Sequence, residues 1–344
     1  MSNARKLADN LPSVGQLTGR NVIVNGAMTF SQRQTSSSNV GNKYVLDRFY
    51  VYKQNTGSTY TCSQNSVTDL AGFANSLKMD CTTADTSTAS NEEVYIQTKL
   101  EGQDLQRFQK GHSTALGFTL SFYVKTNKSG VYTVKMYDRD NNRDVSGSYT
   151  VADANWNRYT ISFPADTTGK FDDDNASSLE IFFNLVRGSD TSGGTLNTAW
   201  RTNSDASSAS GQVNFADSTS NDWEITGIQL EAGSQATPFE HEPASVSLAK
   251  CQRYFYSWTS SGLSDNLYIS SPYASGTPPN TSASVAYTFP VTMRANPTMT
   301  ALTGSAVSNL NRMTSSIHNA TAQQASTSSN AALSLDTWTA DADL

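Results

Sequence analysis

"NDWEITGIQLEAGSQATPFEHEP", residues 221–243, reads as a strand, a turn and an exit. Side chains alternate between the two faces of a strand, so each apolar residue has a parity. Trp223 and Ile225 share one parity, whereas Ile228 and Leu230 have the other. A bulge at Gly227 would insert one residue and return Ile228 and Leu230 to the face of Trp223. The competing account is a central strand buried on both faces. The bulge is preferred, because Glu224, Thr226 and Gln229 would be costly to bury. Gly233, Ser234, Pro238 and Pro243 then mark a turn and a chain exit.

The same period of two runs through the residues before this stretch. Leu77, Met79 and Cys81 alternate with Ser76, Lys78 and Asp80, and Phe118, Leu120, Phe122 and Val124 with Thr119, Ser121, Tyr123 and Lys125. Tyr132, Val134 and Met136 follow, then Tyr159, Ile161 and Phe163, then Leu179, Ile181, Phe183 and Leu185. Strands with one apolar and one polar face, separated by turn-rich gaps, predict an all-β antiparallel sandwich or barrel over 21–242. After Pro243 a short helix with Val246, Leu248 and Cys251 is expected, then strands in "QRYFYSW", "NLYIS", "SASVAYTFPVTM", "PTMTAL" and "SLDTWTADADL". "SSIHNATAQQASTSSNAA" is poor in apolar residues and is expected to form long turns or edges. Residues 243–344 thus read as a second, smaller β-rich domain. At the other end, Ala4, Leu7, Leu11 and Val14 recur every three or four residues, a short helical stripe limited by Pro12 and Gly15. Such a segment is marginal alone, so residues 1–20 read either as an arm anchored to a partner or as a tail that packs locally.

Composition narrows the function classes. The chain has 344 residues, 37% hydrophobic and 10% aromatic, enough for a sizeable core, but only 16% are charged. The net charge is −6 and no basic run appears, which disfavours nucleic acid and anionic membrane surfaces as partners. No apolar run is long enough to insert in a membrane, and no signal peptide is read at the start. Three widely spaced cysteines, Cys62, Cys81 and Cys251, suit folding in a reducing cytoplasm.

Catalytic patterns are not found: no nucleophile elbow, zinc-binding HExxH, phosphate loop or dinucleotide fingerprint stands in the chain. His241 lies between Glu240 and Glu242, but neighbours on an extended chain point apart. Asp138, Asp140 and Asn142 begin like a calcium loop yet lack its glycine and its distal glutamate. Asp172, Asp173 and Asp174 form the more oxygen-rich turn and are the candidate calcium site; no other cofactor is expected. Aromatic residues on polar faces or in polar stretches are candidate ligand contacts: Tyr95, Tyr123, Trp200 with neighbouring Arg201, and Tyr254, Tyr256 and Trp258.

Several pieces together carry a resemblance. "NVIVNGAMTFSQR" followed by "YVLDRFYV" resembles the opening of a β-domain in virion fibre proteins of short-tailed bacteriophages, notably those of marine bacteria. "WEITGIQLEAGSQATPFEHEP…LAKCQRYF" resembles that domain's close, "TADADL" its common C-terminus, and "SNARKLADNLPSVGQLTGRN" its N-terminal arm. The run Q-L-E-x-G-x-x-A-T-P-F-E also resembles the end of jelly-roll carbohydrate-binding modules. The resemblance implies a jelly-roll-like sandwich in a non-enzymatic, trimeric fibre. Such a fibre is assembled in the host cytoplasm and works in the virion, bound to other tail or capsid proteins. Leu7, Leu11 and Val14 would be the anchor, and a host surface glycan the ligand. A head fibre, decoration or adaptor protein is the alternative, with a polysaccharide depolymerase third.

Overall fold

The computed structural model describes residues 19–259, 267–272, 281–303, 310–326, 330–335 and 337–344. They divide into two compact units, one through Ala244 and one from Ser245. The anchor residues Leu7, Leu11 and Val14 lie outside the described residues.

In the first unit the strands are β1 (Ser36–Ser37), β2 (Lys43–Tyr44), β3 (Tyr50–Gln54), β4 (Thr59–Ser66), β5 (Asn75–Thr83), β6 (Glu93–Glu101), β7 (Phe118–Thr126), β8 (Gly130–Asp138), β9 (Arg143–Val151), β10 (Asn157–Phe163), β11 (Ser177–Arg187), β12 (Arg201–Thr202) and β13 (Asp222–Ala232). A six-stranded sheet has the order β1-β4-β5-β13-β7-β10, and a seven-stranded sheet the order β12-β9-β8-β11-β6-β3-β2. From β5 to β13 the chain passes repeatedly from one sheet to the other, an antiparallel jelly-roll-like sandwich. The alternating apolar sets read from the sequence meet between the sheets, with Leu77, Leu120, Phe122, Val134, Met136, Ile181 and Phe183 in one core.

β13 is bulged as expected. Its register against β7 shifts between Thr226 and Gln229, and Gly227 takes φ +63° there. Trp223, Ile225, Ile228 and Leu230 all reach the core. The reason given for the bulge needs correction, however. Glu224, Thr226, Gln229 and Glu231 are buried as well, so the strand is both bulged and covered on two faces. Their polar atoms are matched one by one. Glu224 accepts from Ser76 Oγ at 2.6 Å and Asn65 Nδ2 at 3.0 Å, and Thr226 Oγ1 donates to the Asn75 carbonyl at 2.8 Å. The exit segment folds back over the rest. Glu231 accepts from the Thr237 N–H at 2.8 Å and its hydroxyl at 2.7 Å, while Gln229 Oε1 accepts from the Glu240 N–H at 2.8 Å.

The segment after Arg20 completes this clasp. The Val22 N–H donates to the Leu230 carbonyl at 3.2 Å, and Ile228 donates to Gly26 at 2.9 Å. A Cβ on Gly26 would lie 2.2 Å from the Ile228 carbonyl oxygen, so only glycine permits this approach. Asn25 Nδ2 donates to the carbonyls of Phe30 at 2.9 Å and Asp47 at 3.0 Å, which ties "NVIVNGAMTFSQR" to "YVLDRFYV".

The second unit opens with helix α1 (Ala244–Gln252), where a short helix is expected. Its strands are β14 (Phe255–Thr259), β15 (Leu267–Pro272), β16 (Thr281–Thr288), β17 (Thr298–Thr303), β18 (Leu310–Ser315), β19 (Asn319–Ser326), β20 (Asn330–Leu335) and β21 (Thr337–Asp341). They form sheets β14-β21-β17, β15-β20 and β16-β19-β18, and Tyr256, Phe289, Met293 and Trp338 form a core. β19 falls where turns or edges were expected from the low apolar content. It is instead a central strand, paired with β16 and β18 on its two sides. Backbone pairing on both edges outweighs weak side-chain preference here.

Two outcomes test the clasp. Gly227→Ala would place a Cβ 2.8 Å from Phe73 Cζ at a left-handed φ, and should cost about 1–3 kcal/mol in urea unfolding. An unchanged midpoint would show that the bulge relaxes freely. Glu240 accepts from the N–H groups of Gly19 at 2.5 Å and Asn21 at 3.0 Å. Burial pushes its carboxyl up, but these donors and the Arg20 N–H more than offset that and hold it below the usual glutamate range. Its contribution is therefore full at neutral pH and is lost as pH falls through the depressed folded-state value. Glu240→Gln should lower stability at about pH 7 and shrink the difference between about pH 7 and about pH 3. Urea midpoints at both values check this.

Candidate functional site

On the six-stranded sheet the clasp covers the outer side of β13, and the exposed outward residues of β10 are Arg158, Thr160 and Ser162. The outer face of the seven-stranded sheet is the one that carries a row of aromatic side chains. Strand alternation sends Val51, Val94, Ile96, Leu179, Ile181 and Phe183 inward. The opposite parity sends Tyr50, Tyr52, Tyr95, Gln97, Lys99, Glu180, Phe182, Lys135 and Tyr137 outward. Tyr95 and Phe182 are buried yet stand outside the core between the sheets.

Register sets these side chains in rows. Tyr52 faces Tyr95, Tyr50 faces Tyr44 and Gln97, Phe182 faces Gln97 and Lys135, and Glu180 faces Lys99 and Tyr137. The Tyr52 and Tyr95 rings stack at 4.6 Å, and Phe182 meets Tyr95 edge-on at 5.0 Å. Tyr44 and Tyr50 meet edge-on at 5.0 Å, with the Arg33 guanidinium 5.0 Å from the Tyr44 ring. Tyr95 also has the Arg187 guanidinium 4.9 Å from its ring centre; that group pairs with Glu93 and donates to Asn184 Oδ1 at 2.8 Å. Glu180 accepts from Gln97 Nε2 at 2.8 Å and Arg139 Nη1 at 3.2 Å.

Tyr44, Tyr50, Tyr52 and Tyr137 are half-buried; the Tyr52 hydroxyl donates to Gln54 Oε1 and the Tyr137 hydroxyl to Asn142 Oδ1 at 3.2 Å. Burial first, then the neighbouring Tyr52 for Tyr50 and the Glu93 carboxylate for Tyr52, pushes these two phenols above their ordinary value. They remain neutral donors at physiological pH. The β8–β9 side of the same face is closed. Lys135 donates to Asn203 Oδ1 at 2.9 Å and Asp205 Oδ1 at 3.0 Å, Gln212 accepts from the Thr133 N–H at 2.7 Å, and Arg201 pairs with the fully buried Asp144 at 3.0 Å. The open part is therefore a strip lined by the half-buried Tyr44, Tyr50 and Tyr52 over β2 and β3, flanked by the half-buried Lys99 and supported by the buried Tyr95, Gln97 and Glu180. Such a strip suits a ligand with a flat apolar face and a polar rim.

The aromatic and arginine residues nominated from sequence fall elsewhere, except Tyr95. Tyr123 is half-buried on the six-stranded sheet, its ring 5.2 Å from Phe73. Trp200 packs against the sandwich core, 5.9 Å from Phe118, and donates its indole N–H to the Pro164 carbonyl at 2.9 Å. Arg201 is spent on Asp144 and on the carbonyls of Ser204 and Ala206. Tyr254 and Tyr256 are buried, and Trp258 is half-buried with its ring 6.4 Å from Trp338, all in the second unit. These six residues take part in ring packing or loop bracing: Tyr254 and Tyr256 are buried, and Tyr123, Trp200, Arg201 and Trp258 are half-buried, so they do not gather into one exposed ligand surface. Asp172, Asp173 and Asp174 are exposed on a turn, where the Asp172 N–H donates to Asp140 Oδ2 at 3.0 Å and Asp174 Oδ1 accepts from the Ala176 N–H at 2.9 Å. Among the described residues no three His, Cys, Asp or Glu side chains converge as a metal group. The missed residues Tyr44, Tyr50 and Tyr52 had a signal in "KYVLDRFYVYK": a Tyr-x-Tyr pair on the parity opposite Val51.

Several solved structures are similar to this chain. A cyclase from Fischerella sp. TAU, in complex with 4-(1H-indol-3-yl)butan-2-one, matches at 9% identity over 63% of this chain and 99% of that one, with a TM-score of 0.35. A CBM4 matches at 13% identity over 60% and 97%, with a TM-score of 0.31. A family 11 carbohydrate-binding module from Clostridium thermocellum, in complex with a β-1,3-1,4-mixed-linked tetrasaccharide, matches at 13% over 59% and 99%, with a TM-score of 0.29. No family model and no curated protein matches the sequence.

The different placement of these aromatics has a measurable consequence. Trp200→Ala should lower stability by about 2–4 kcal/mol through lost packing. Tyr52→Ala, at a half-open position, should cost about 1 kcal/mol or less. Urea unfolding of the two variants distinguishes a core brace from a surface contact.

Proposed function

We propose that this chain is a non-catalytic glycan-binding protein of a bacteriophage virion, a tail-fibre component that attaches the particle to a host surface sugar. The observation that carries the glycan reading is the strip of Tyr44, Tyr50 and Tyr52 on the open outer face of the seven-stranded sheet, with Gln97, Lys99 and Glu180 at its side. Sugar rings present an apolar C–H face and an equatorial rim of hydroxyls. Neutral tyrosine rings take the face, while phenol hydroxyls and the Lys99 ammonium take the rim, braced by the buried Gln97–Glu180 pair. The supporting residues are pre-set: Tyr95 is held between Tyr52 and Arg187, and Glu180 between Gln97 and Arg139. A ligand landing there orders few side chains, which lowers the entropic cost of binding.

The virion reading rests on the sequence resemblance, and two observations sit well with it. Cys62, Cys81 and Cys251 are buried and not disulfide-bonded, as suits a chain folded in a reducing compartment. The two sheets of the sandwich end in β1, β10, β12 and β2, edges that a homotrimer would cover.

Purified protein should compete with intact phage for adsorption to host cells. A Tyr50→Ala/Tyr52→Ala double variant should lose that competition about tenfold or more while keeping its melting temperature nearly unchanged. Equal competition by the variant would remove the strip as the ligand site. Antibody labelling of the particle then separates the roles. Label on the tail supports attachment, whereas label on the capsid, with no competition by the wild type, supports a head-fibre or decoration role. A chain truncated at residue 20 should fold and oligomerise but no longer enter particles; its incorporation would count against the arm as anchor.

A further inference from the structure

Lys110 follows two short helical turns between β6 and β7, and its side chain is 0% exposed. Four oxygens surround its ammonium nitrogen: Asp138 Oδ2 at 2.5 Å, Asp166 Oδ2 at 3.1 Å, and the carbonyls of Thr168 at 3.0 Å and Gly169 at 2.8 Å. The rings of Phe171 and Trp200 close the site at 5.2 Å and 5.1 Å. None of these groups belongs to the tyrosine strip.

The cage is built rather than collapsed around the lysine. Asp138 Oδ1 is fixed by the Asn141 N–H at 3.1 Å, and Asp166 by Arg143 Nε at 2.8 Å, Arg143 Nη2 at 3.1 Å and the Thr168 N–H at 3.0 Å. Gly169 takes φ +75° beside its contributing carbonyl. Opposite it, a Cβ on Gly111 would lie 2.7 Å from the Lys170 backbone, so the two segments meet with no room for a side chain. An ammonium has only three N–H donors, yet four oxygens converge on it. A spherical cation would satisfy all four at once. Two carboxylates and two backbone carbonyls are the hard oxygen set that calcium takes. Asp138 and Asp166 are balanced by Lys110 and Arg143, so loss of the lysine charge leaves the pocket anionic.

We propose that this cage is a cation site that the chain fills with its own Lys110 ammonium. The tethered charge ties the end of β8, the loop at 166–171 and the segment around Lys110 into one corner of the sandwich, and makes that corner independent of dissolved metal. Removing the side chain should turn the corner into a binding site for a hard cation, with calcium as the first probe and potassium as the second.

The experiment compares wild type, Lys110→Ala and Lys110→Met in metal-free buffer and with calcium chloride or potassium chloride added. The wild-type melting temperature should be the same with chelator and with calcium. Lys110→Ala should melt lower by about 10 °C in metal-free buffer, because two buried carboxylates lose a counter-charge. One of the two cations should restore at least half of that loss, saturably and with one site by calorimetry. Lys110→Met keeps the stem in the cage and should not be rescued. Adding Asp138→Asn to Lys110→Ala should abolish the rescue. Should Lys110→Ala fail to fold in metal-free buffer, recovery of soluble protein upon refolding with calcium or potassium is the equivalent readout. Lack of rescue by either cation overturns the proposal, as does a Lys110→Ala chain insoluble under all conditions. A wild-type melting temperature that rises with calcium also overturns it.

Discussion

The covering of the outer face of β13 constrains much of the first unit. This strand lies between β5 and β7 in the six-stranded sheet, and its bulge at Gly227 brings Trp223, Ile225, Ile228 and Leu230 into one core. Side-chain alternation then commits Glu224, Thr226, Gln229 and Glu231 to the other face, where two carboxylates, an amide and a hydroxyl need partners once covered. The partners come from the chain that follows. Thr237 and the Glu240 backbone turn back onto Glu231 and Gln229, and the Glu240 carboxylate fastens the segment that precedes Asn21. An uncompensated carboxylate under that cover would be costly, so the strand and its exit form only as a pair.

That closure decides where a ligand can lie. With β13 roofed by its own exit segment, the six-stranded sheet keeps only a polar margin over β10 open, and the aromatic open surface lies on the other outer face. Its β8–β9 side is roofed too, by the loop that Arg201, Lys135 and Gln212 hold down. The residue of open area falls on β2, β3 and β6, and it carries tyrosines. The position of the strip is a consequence of what the rest of the fold has to cover.

Strand identity was legible from sequence because alternation is a local signal that survives wherever one face is apolar. Phe118 to Val124 and Leu179 to Leu185 show it, with Tyr123 and Phe182 the aromatic residues on the polar parity. The bulge was legible because a single glycine stood between two parities. The polar face of β13 was not, because its cover comes from residues that look like a loose exit; only the spacing of Glu231 and Thr237 hints at the return. Tyr95 could be nominated as an aromatic on a polar face. Trp200 was nominated by the same signal, and a polar neighbourhood in sequence says nothing about a loop whose tryptophan turns back onto Phe118. In "QRYFYSW" three successive aromatics leave parity undefined, so burial of Tyr254 and Tyr256 could not be read.

The chain is sparing with charge, and several of its charges are placed inside. Lys110, Lys135, Asp138, Asp144, Glu180 and Glu231 are buried, and each has a partner of opposite charge or a hydrogen-bond donor. A buried ion matched in this way contributes less to net stability than to uniqueness of geometry, because its desolvation offsets much of the attraction, whereas a mismatched arrangement is heavily penalised. The charges therefore act as locators that fix loops against sheets: Lys110 the loop at 166–171, Arg201 and Lys135 the loop at 203–207, Glu231 the exit segment. The open strip, by contrast, is built of phenols, which are neutral at physiological pH, and burial moves Tyr50 and Tyr52 further from ionisation. Rigid charge inside and neutral aromatic surface outside divide the work between holding a shape and presenting it, and a sugar, itself neutral and hydroxyl-rich, is the kind of ligand that such a surface can hold without releasing the charges that brace it.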